Sequence, residues 1–147
     1  MTDHSSTRRL RYDLHHRNED LDEKECWRLL EAKEVGRVAF MSDDRVQVFP
    51  VNYVAHGGAI YFRTLADGAI GRVVRNQPAS FQIDEFDDFL KAGWSVLVTG
   101  RGQMVDDVGV LAELWGAKNP EPWADGLRTL FIRVVPEQVT GRRVHPG

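Results

Sequence analysis

Pro50 and Asn52 stand two apart in a run, Val46 to Ala55, that otherwise alternates as a strand. Proline has no N–H to give a ladder. It marks an edge, a bulge, or a stretch flanked by something other than a strand. Asn52 shares its strand face with Val46, Val48 and Val54, which sets a polar amide on an apolar face. A buried amide needs partners. Two readings stay open. The amide bonds nearby backbone, or it bonds a flat polar ligand together with the adjacent free backbone groups. Arg63 and Thr64 end the next strand-like run, just before a turn and a helix start. Helix N-termini attract anions, here through the amides of Gly68, Ala69 and Ile70, and an arginine beside a hydroxyl suits a phosphate. Taken alone, the plainer reading is preferred: a solvated Arg63, with Asp67 as a helix cap. Trp94 opens a long strand and Trp123 lies in a loop. Tryptophans so placed line planar ligands or interfaces, and more often simply pack.

The elements that must hold these residues follow from period and punctuation. Asp22 reads as an N-cap, with Glu25 at the capping-box position and Leu21 able to staple onto Cys26. Cys26, Trp27, Leu29, Leu30 and Val35 then form a helical stripe that ends near Gly36. Cys26 lies on that stripe and reads as a buried structural thiol. Beyond it the period falls to two. Strands are expected over 37–41, 46–55, 59–64, 79–84, 94–105, 130–135 and 139–144. His56-Gly57-Gly58 reads as a hairpin connection. In 79–84 the inward residues are Phe81 and Ile83. Tyr53 alternates away from Asn52 and reads as packing. Gly100 and Gly102 mark a bend or bulge in the long strand. Short helices fit 67–75 and 106–115, with Gly116 as the stop of the second. Residues 117–128 read as a loop. Residues 1–20 carry four basic and four acidic residues and neither period. They read as a flexible arm, or as a segment ordered against a partner subunit. The single domain then spans 21–147.

Composition narrows the chemistry. A chain of 147 residues fits one domain. It has 42% apolar and 28% charged residues, ordinary for a globular protein. A net charge of -3 gives no basic field for nucleic acid. One cysteine excludes a disulfide framework and a thiolate zinc cluster. No apolar run is long enough for a membrane helix, and the first thirty residues hold no apolar signal core, so the expected compartment is the cytoplasm. The acidic run Asp84 to Asp88 reads as a solvated loop rather than a cation site. Seven close strands without crossover helices argue for a mainly β fold, an antiparallel barrel or sandwich.

FPVNY (49–53), IYFRT (60–64), GWSVLVTGRG (93–102), PW (122–123) and VTGRR (139–143) together resemble the pyridoxamine 5'-phosphate oxidase-like, FMN-binding split-barrel family. The chain looks most like its short flavin-binding branch. The resemblance runs from about Leu21 to Val144. Each motif is weak by itself; five in order, on the expected elements, are specific. The resemblance implies an antiparallel split β-barrel that forms a homodimer, with two FMN sites in the interface. It implies that Pro50, Val51 and Asn52 pass beside the isoalloxazine ring. It sets Thr64, with Arg63 before it, near the ribityl phosphate. It brings Trp94, Ser95 and the loop residue Trp123 to the flavin from the partner subunit.

One departure stands out. Many members carry a serine or threonine followed by a phosphate-binding lysine just after the turn. Here the stretch is Asp67-Gly68-Ala69. Arg72, one turn along the helix, is the candidate substitute. FMN is therefore the expected cofactor, with a deazaflavin or FAD as the alternative. The functional expectation is a flavin-dependent oxidoreductase of unassigned substrate. The alternative is a non-catalytic flavin or deazaflavin binding or storage protein. Haem handling is disfavoured, because outside the tails only His56 could ligate iron, and it sits in a hairpin.

Overall fold

The computed structural model describes residues 16–65, 68, 76–116 and 130–146. The expected helix over 67–75, Arg72 within it, the 117–128 loop and Trp123 lie outside the described residues, apart from Gly68.

Seven strands and two helices are described. They are β1 His16–Leu21, α1 Glu23–Ala32, β2 Val35–Ser42, β3 Arg45–His56, β4 Ala59–Thr64, β5 Gln77–Asp87, β6 Ala92–Met104, α2 Val108–Trp115 and β7 Leu130–Pro146. All the pairings are antiparallel. The order is β1-β7-β4-β3-β2-β5-β6, and β6 pairs back onto β7. Strands β7, β4, β3, β2, β5 and β6 thus close a ring, which removes most sheet edges. β1 extends the same side of β7 past the end of β4, with His16 opposite Pro146 and Leu21 opposite Gly141. The expected mainly β barrel is observed.

Three local expectations need correction. Residues 16–20, read as part of an arm, form β1. Its sequence, HRNEDL, shows no apolar period because it is an edge strand; charged edges resist pairing with a further chain. The two C-terminal strands are one 17-residue strand. Its register against β6 slips between Thr99↔Gln138 and Gly100↔Pro136, so Glu137 is the extra residue of a bulge. A Cβ on Gly100 would lie 1.9 Å from the Val135 carbonyl oxygen, so only glycine permits that approach. Helix α1 stops at Ala32, and Val35 and Gly36 belong to β2. Gly36 is a packing glycine: a Cβ there would meet the Phe81 ring at 2.1 Å.

Helix α1 forms for local reasons. The Asp22 carboxylate accepts from the Glu25 N–H at 2.8 Å, and Cys26, Leu29 and Leu30 are buried. Burial raises the Cys26 thiol pKa, so it stays protonated and structural. Inside the ring the core holds Leu30, Val38, Ile60, Phe62, Phe81, Ile83, Val96, Val98, Ile132 and Val134. The inward set on β5 includes Phe81 and Ile83, as the alternation predicts. A second cluster, Ala59, Tyr61, Val105, Leu114 and Phe131, lies under α2 on the outside of β4 and β7. β4 is therefore buried on both faces. The β3–β4 hairpin turns on Gly57 and Gly58 with φ of +57° and +76°, a pair that suits a type I′ turn.

Candidate functional site

β3 is longer than β4, and the site begins where they part. Their ladder covers only Tyr53↔Phe62 to His56↔Ala59. On its other side β3 pairs with β2 from Arg45 to Asn52. The Tyr53 N–H donates to the Glu34 carbonyl at 3.0 Å. Backbone groups alternate in direction along a strand, so residues 46, 48 and 50 point theirs away from β2. Among the described residues no strand pairs with that edge. Pro50 sits on it without losing a ladder bond. The sequence reading of Pro50 as an edge residue is what the geometry gives.

The face carrying Asn52 is a correction. Tyr53, Phe49, Val51 and Ala55 point to the core. Val46, Val48, Pro50 and Asn52 point outward, and Val46 and Val48 are 67% and 56% exposed. This apolar stripe is outer surface, not core: β3 is apolar on both faces, and Phe49, Val51 and Tyr53 take the inward one. Met41, opposite Val46, widens the stripe and is also exposed. Beside it a groove of about 720 Å³ runs between Met41 and Val46 on one side and Pro78, Thr99 and Gln138 on the other.

The β3–β4 ladder ends at Tyr53↔Phe62, so Asn52 and Arg63 lie one residue beyond its last pair, and Val51 and Thr64 two. Val51, Asn52, Arg63 and Thr64 thus flank the corner where that ladder opens, with Pro50 next along β3; alternation turns Arg63 outward and Thr64 to the opposite face. Thr64 is a buried polar residue, 4% exposed. Its hydroxyl has no side-chain hydrogen bond among the described residues. A buried hydroxyl left unmet costs about 1–3 kcal/mol, so this one suits a polar group arriving from elsewhere. Arg63 lies over the Trp115 ring, its guanidinium carbon 4.3 Å from the centroid. Next to Pro50 across β2 stands Arg37. Its guanidinium meets Gln82 at 3.3 Å and Asp84 at 3.6 Å, and Gln82 donates to Asp84 at 2.7 Å. Sequence reasoning missed both Arg37 and Trp115. Alternation along β2 set Arg37 outside, but no period identifies its cross-strand partners.

Trp94 and Ser95 are elsewhere. β2 and β5 separate β6 from β3, which is about 14 Å along the sheet at about 4.7–4.9 Å per strand. Trp94 packs inward against the core, with the Lys33 ammonium 5.7 Å from its ring centroid. Ser95 faces outward beside Leu97, Arg142 and Asp20. Within one chain these two do not reach the Pro50–Thr64 corner.

Tyr53 is packing, as its alternation predicts. It is buried, and its hydroxyl donates to the Leu30 carbonyl at 2.6 Å. Burial raises its pKa, which keeps the donor protonated. His56 pairs with Glu113 of α2 at 2.8 Å. Among the described residues no three His, Cys, Asp or Glu side chains cluster to hold a metal. The acidic run is not a loop, since Asp84 to Asp87 end β5 against β6; Glu85 pairs with Lys33, and Asp87 accepts from the Leu90 N–H. No described helix is long and apolar enough to cross a membrane.

Comparison with known proteins gives these residues a context. The sequence profile described as pyridoxamine 5'-phosphate oxidase matches residues 22–143. The solved FAD-binding protein of Mycobacterium smegmatis is 33% identical, with a TM-score of 0.73 over 86% of this chain and 98% of that one. An FAD-binding protein from Mesorhizobium loti, 23% identical, shares the fold with a TM-score of 0.63 over 88% of this chain and 98% of that one. An uncharacterised protein of Mycobacterium tuberculosis is 29% identical over 85% of this chain and 84% of its own length.

Proposed function

The chain belongs to the pyridoxamine 5'-phosphate oxidase family, and on that premise we propose that it is a flavin-dependent oxidoreductase acting as a homodimer. One observation carries the reading. The open edge of β3 at Pro50 lies where the β3–β4 ladder ends, near the end of β4 that carries Arg63 and the buried Thr64. That corner joins backbone acceptors for a planar heterocycle to a cation and a hydroxyl for a phosphate. The donor set fits a flavin nucleotide. The similarity to the FAD-binding protein of Mycobacterium smegmatis supports the same cofactor class. FMN is the first choice, since the expected site needs one phosphate; FAD or a deazaflavin is the alternative.

A bound flavin would supply the hydride or electron transfer. The chain's own residues would do the rest. The Pro50 carbonyl and the Asn52 side chain would hold the polar edge of the ring system. Arg63 and Thr64 would hold the phosphate, with Arg72 as a further cation. Val46, Val48 and Met41 form an exposed apolar stripe leading to this corner. A second copy covering that stripe would exclude water from the ring. It would also bring its own Trp94–Ser95 segment and Trp123 toward the site. Among the described residues no side chain stands out as a general acid or base. The missing lysine at 67–69 keeps non-catalytic flavin storage as the second reading. We further propose that the protein acts in the cytoplasm.

The absorption spectrum of the purified protein tests the cofactor class. Titration with FMN, FAD and deazaflavin, read by quenching of ligand fluorescence, tests the choice. Absence of binding to all three would end the proposal. Binding without oxidation of reduced nicotinamide or deazaflavin would favour storage. Size-exclusion chromatography reads the dimer.

A further inference from the structure

Arg63 is not a solvated strand-end arginine. Its guanidinium lies 4.3 Å from the Trp115 ring centroid and 5.8 Å from that of Phe131. The two rings meet edge to face at 4.9 Å. Trp115 is the last residue of α2 and is 46% exposed. Its edge contact with the buried Phe131 covers about half of it and leaves the rest outside. What its ring does is offer a face to a cation. The helix that carries it is fixed at three points. Asp107 caps its start by accepting from the Val110 N–H at 2.9 Å. Leu114 is fully buried in the cluster under the helix. Glu113 reaches His56, at the β3–β4 hairpin, at 2.8 Å. So the indole is held by β3, β4 and β7 together, and Arg63 is laid on it.

An arginine on a strand end has several rotatable bonds and a large rotamer entropy. Binding an anion requires ordering it. A ring face that already orders the guanidinium removes part of that cost before the ligand arrives. Stacking uses the guanidinium face, while the N–H groups of a guanidinium lie in its plane, the geometry in which arginine meets a phosphate. Arg63 is the second-last residue of β4, next to the open end of its ladder with β3.

We propose that Trp115 is a positioning residue that holds the Arg63 guanidinium for the phosphate of the bound nucleotide. The proposal rests on the flavin reading above and adds a residue which the sequence motifs did not single out. In this chain an arginine held on an aromatic face takes the place of the lysine absent at 67–69.

The test compares FMN with riboflavin, which has the same ring and no phosphate. Dissociation constants are measured by flavin fluorescence quenching for the wild type, Trp115→Leu and Trp115→Phe. Trp115→Leu is expected to weaken FMN binding by about two- to fivefold, the range of an exposed cation–π contact. Riboflavin binding should be unchanged. Trp115→Phe keeps a ring face and should restore most of the difference. Equal weakening of FMN and riboflavin overturns the proposal, since it shows a merely structural role. So does unchanged FMN binding in Trp115→Leu. A wild type that binds neither ligand refutes the flavin reading itself, which is a different result from either.

Discussion

The two faces of β3 follow different rules. The inward face carries Phe49, Val51, Tyr53 and Ala55, all packed against the core. The one polar side-chain atom of these four, the Tyr53 hydroxyl, is met by the Leu30 carbonyl. The outward face carries Val46, Val48, Pro50 and Asn52. There two valines stand more than half exposed, and among the described residues no strand pairs with the edge. An interior has to satisfy every group within the chain. An outer face with large apolar residues and an open edge is satisfied only from outside it. That contrast separates the part of the molecule that holds the fold from the part available for ligand and partner.

Substitutions on each face probe the contrast. The largest effect is expected inside. Phe62→Ala, at a residue with no exposure, should lower the free energy of unfolding by about 3–5 kcal/mol, measured by urea denaturation. A loss below about 1 kcal/mol would mean the interior repacks and the contrast is weaker than drawn. Next is Tyr53→Phe, which deletes only the hydroxyl held by Leu30 and should cost about 1 kcal/mol. On the outer face Val48→Asp should change unfolding by no more than about 0.5 kcal/mol while shifting the protein toward monomer in size-exclusion chromatography. A fold that collapses with Val48→Asp would show that the stripe belongs to the core after all.

The smallest effect concerns the closed end, where α1 meets β7. Glu25 receives the Arg28 guanidinium at 2.8 Å and Arg143 at 3.3 Å. Chiefly through the Arg28 bond, its carboxyl is held down to about 2. A lowered folded-state pKa gives stability that is present above the unfolded value and lost as pH falls through the folded one. Glu25→Gln should therefore flatten part of the acid limb of stability between about pH 4.3 and pH 2. Acid titration followed by circular dichroism checks this, and an unchanged limb would assign it to other carboxylates.

Much of this was legible from residue order. Asp22 announced α1, Gly57-Gly58 the β3–β4 turn, and Gly100 the bulge, since each answers to rules acting within a few residues. Phe81 and Ile83 followed from alternation. The face of β3 did not. Valines at 46, 48 and 54 outvoted Phe49, Val51 and Tyr53 in a reading by hydrophobicity, because a strand with two apolar faces carries no label for inside. β1 escaped because an edge strand needs no apolar period. Arg37 and Trp115 escaped because their partners, Gln82 with Asp84 and Arg63, come from strands or helices distant in the chain.

The sequence by itself determined a mainly β fold, the helix starts and turns, and the absence of a multi-thiol centre, and it singled out Pro50 as a break in a ladder. Those depend on local sterics, capping and the period of two. Only the tertiary structure decided that the Val46–Val48 stripe faces outward, that β1 and a single long β7 extend the sheet, that Trp94 lies two strands removed from the corner, and that Trp115 lies under Arg63. Those depend on which strands close the ring and in what register, and register is a property of pairs of segments.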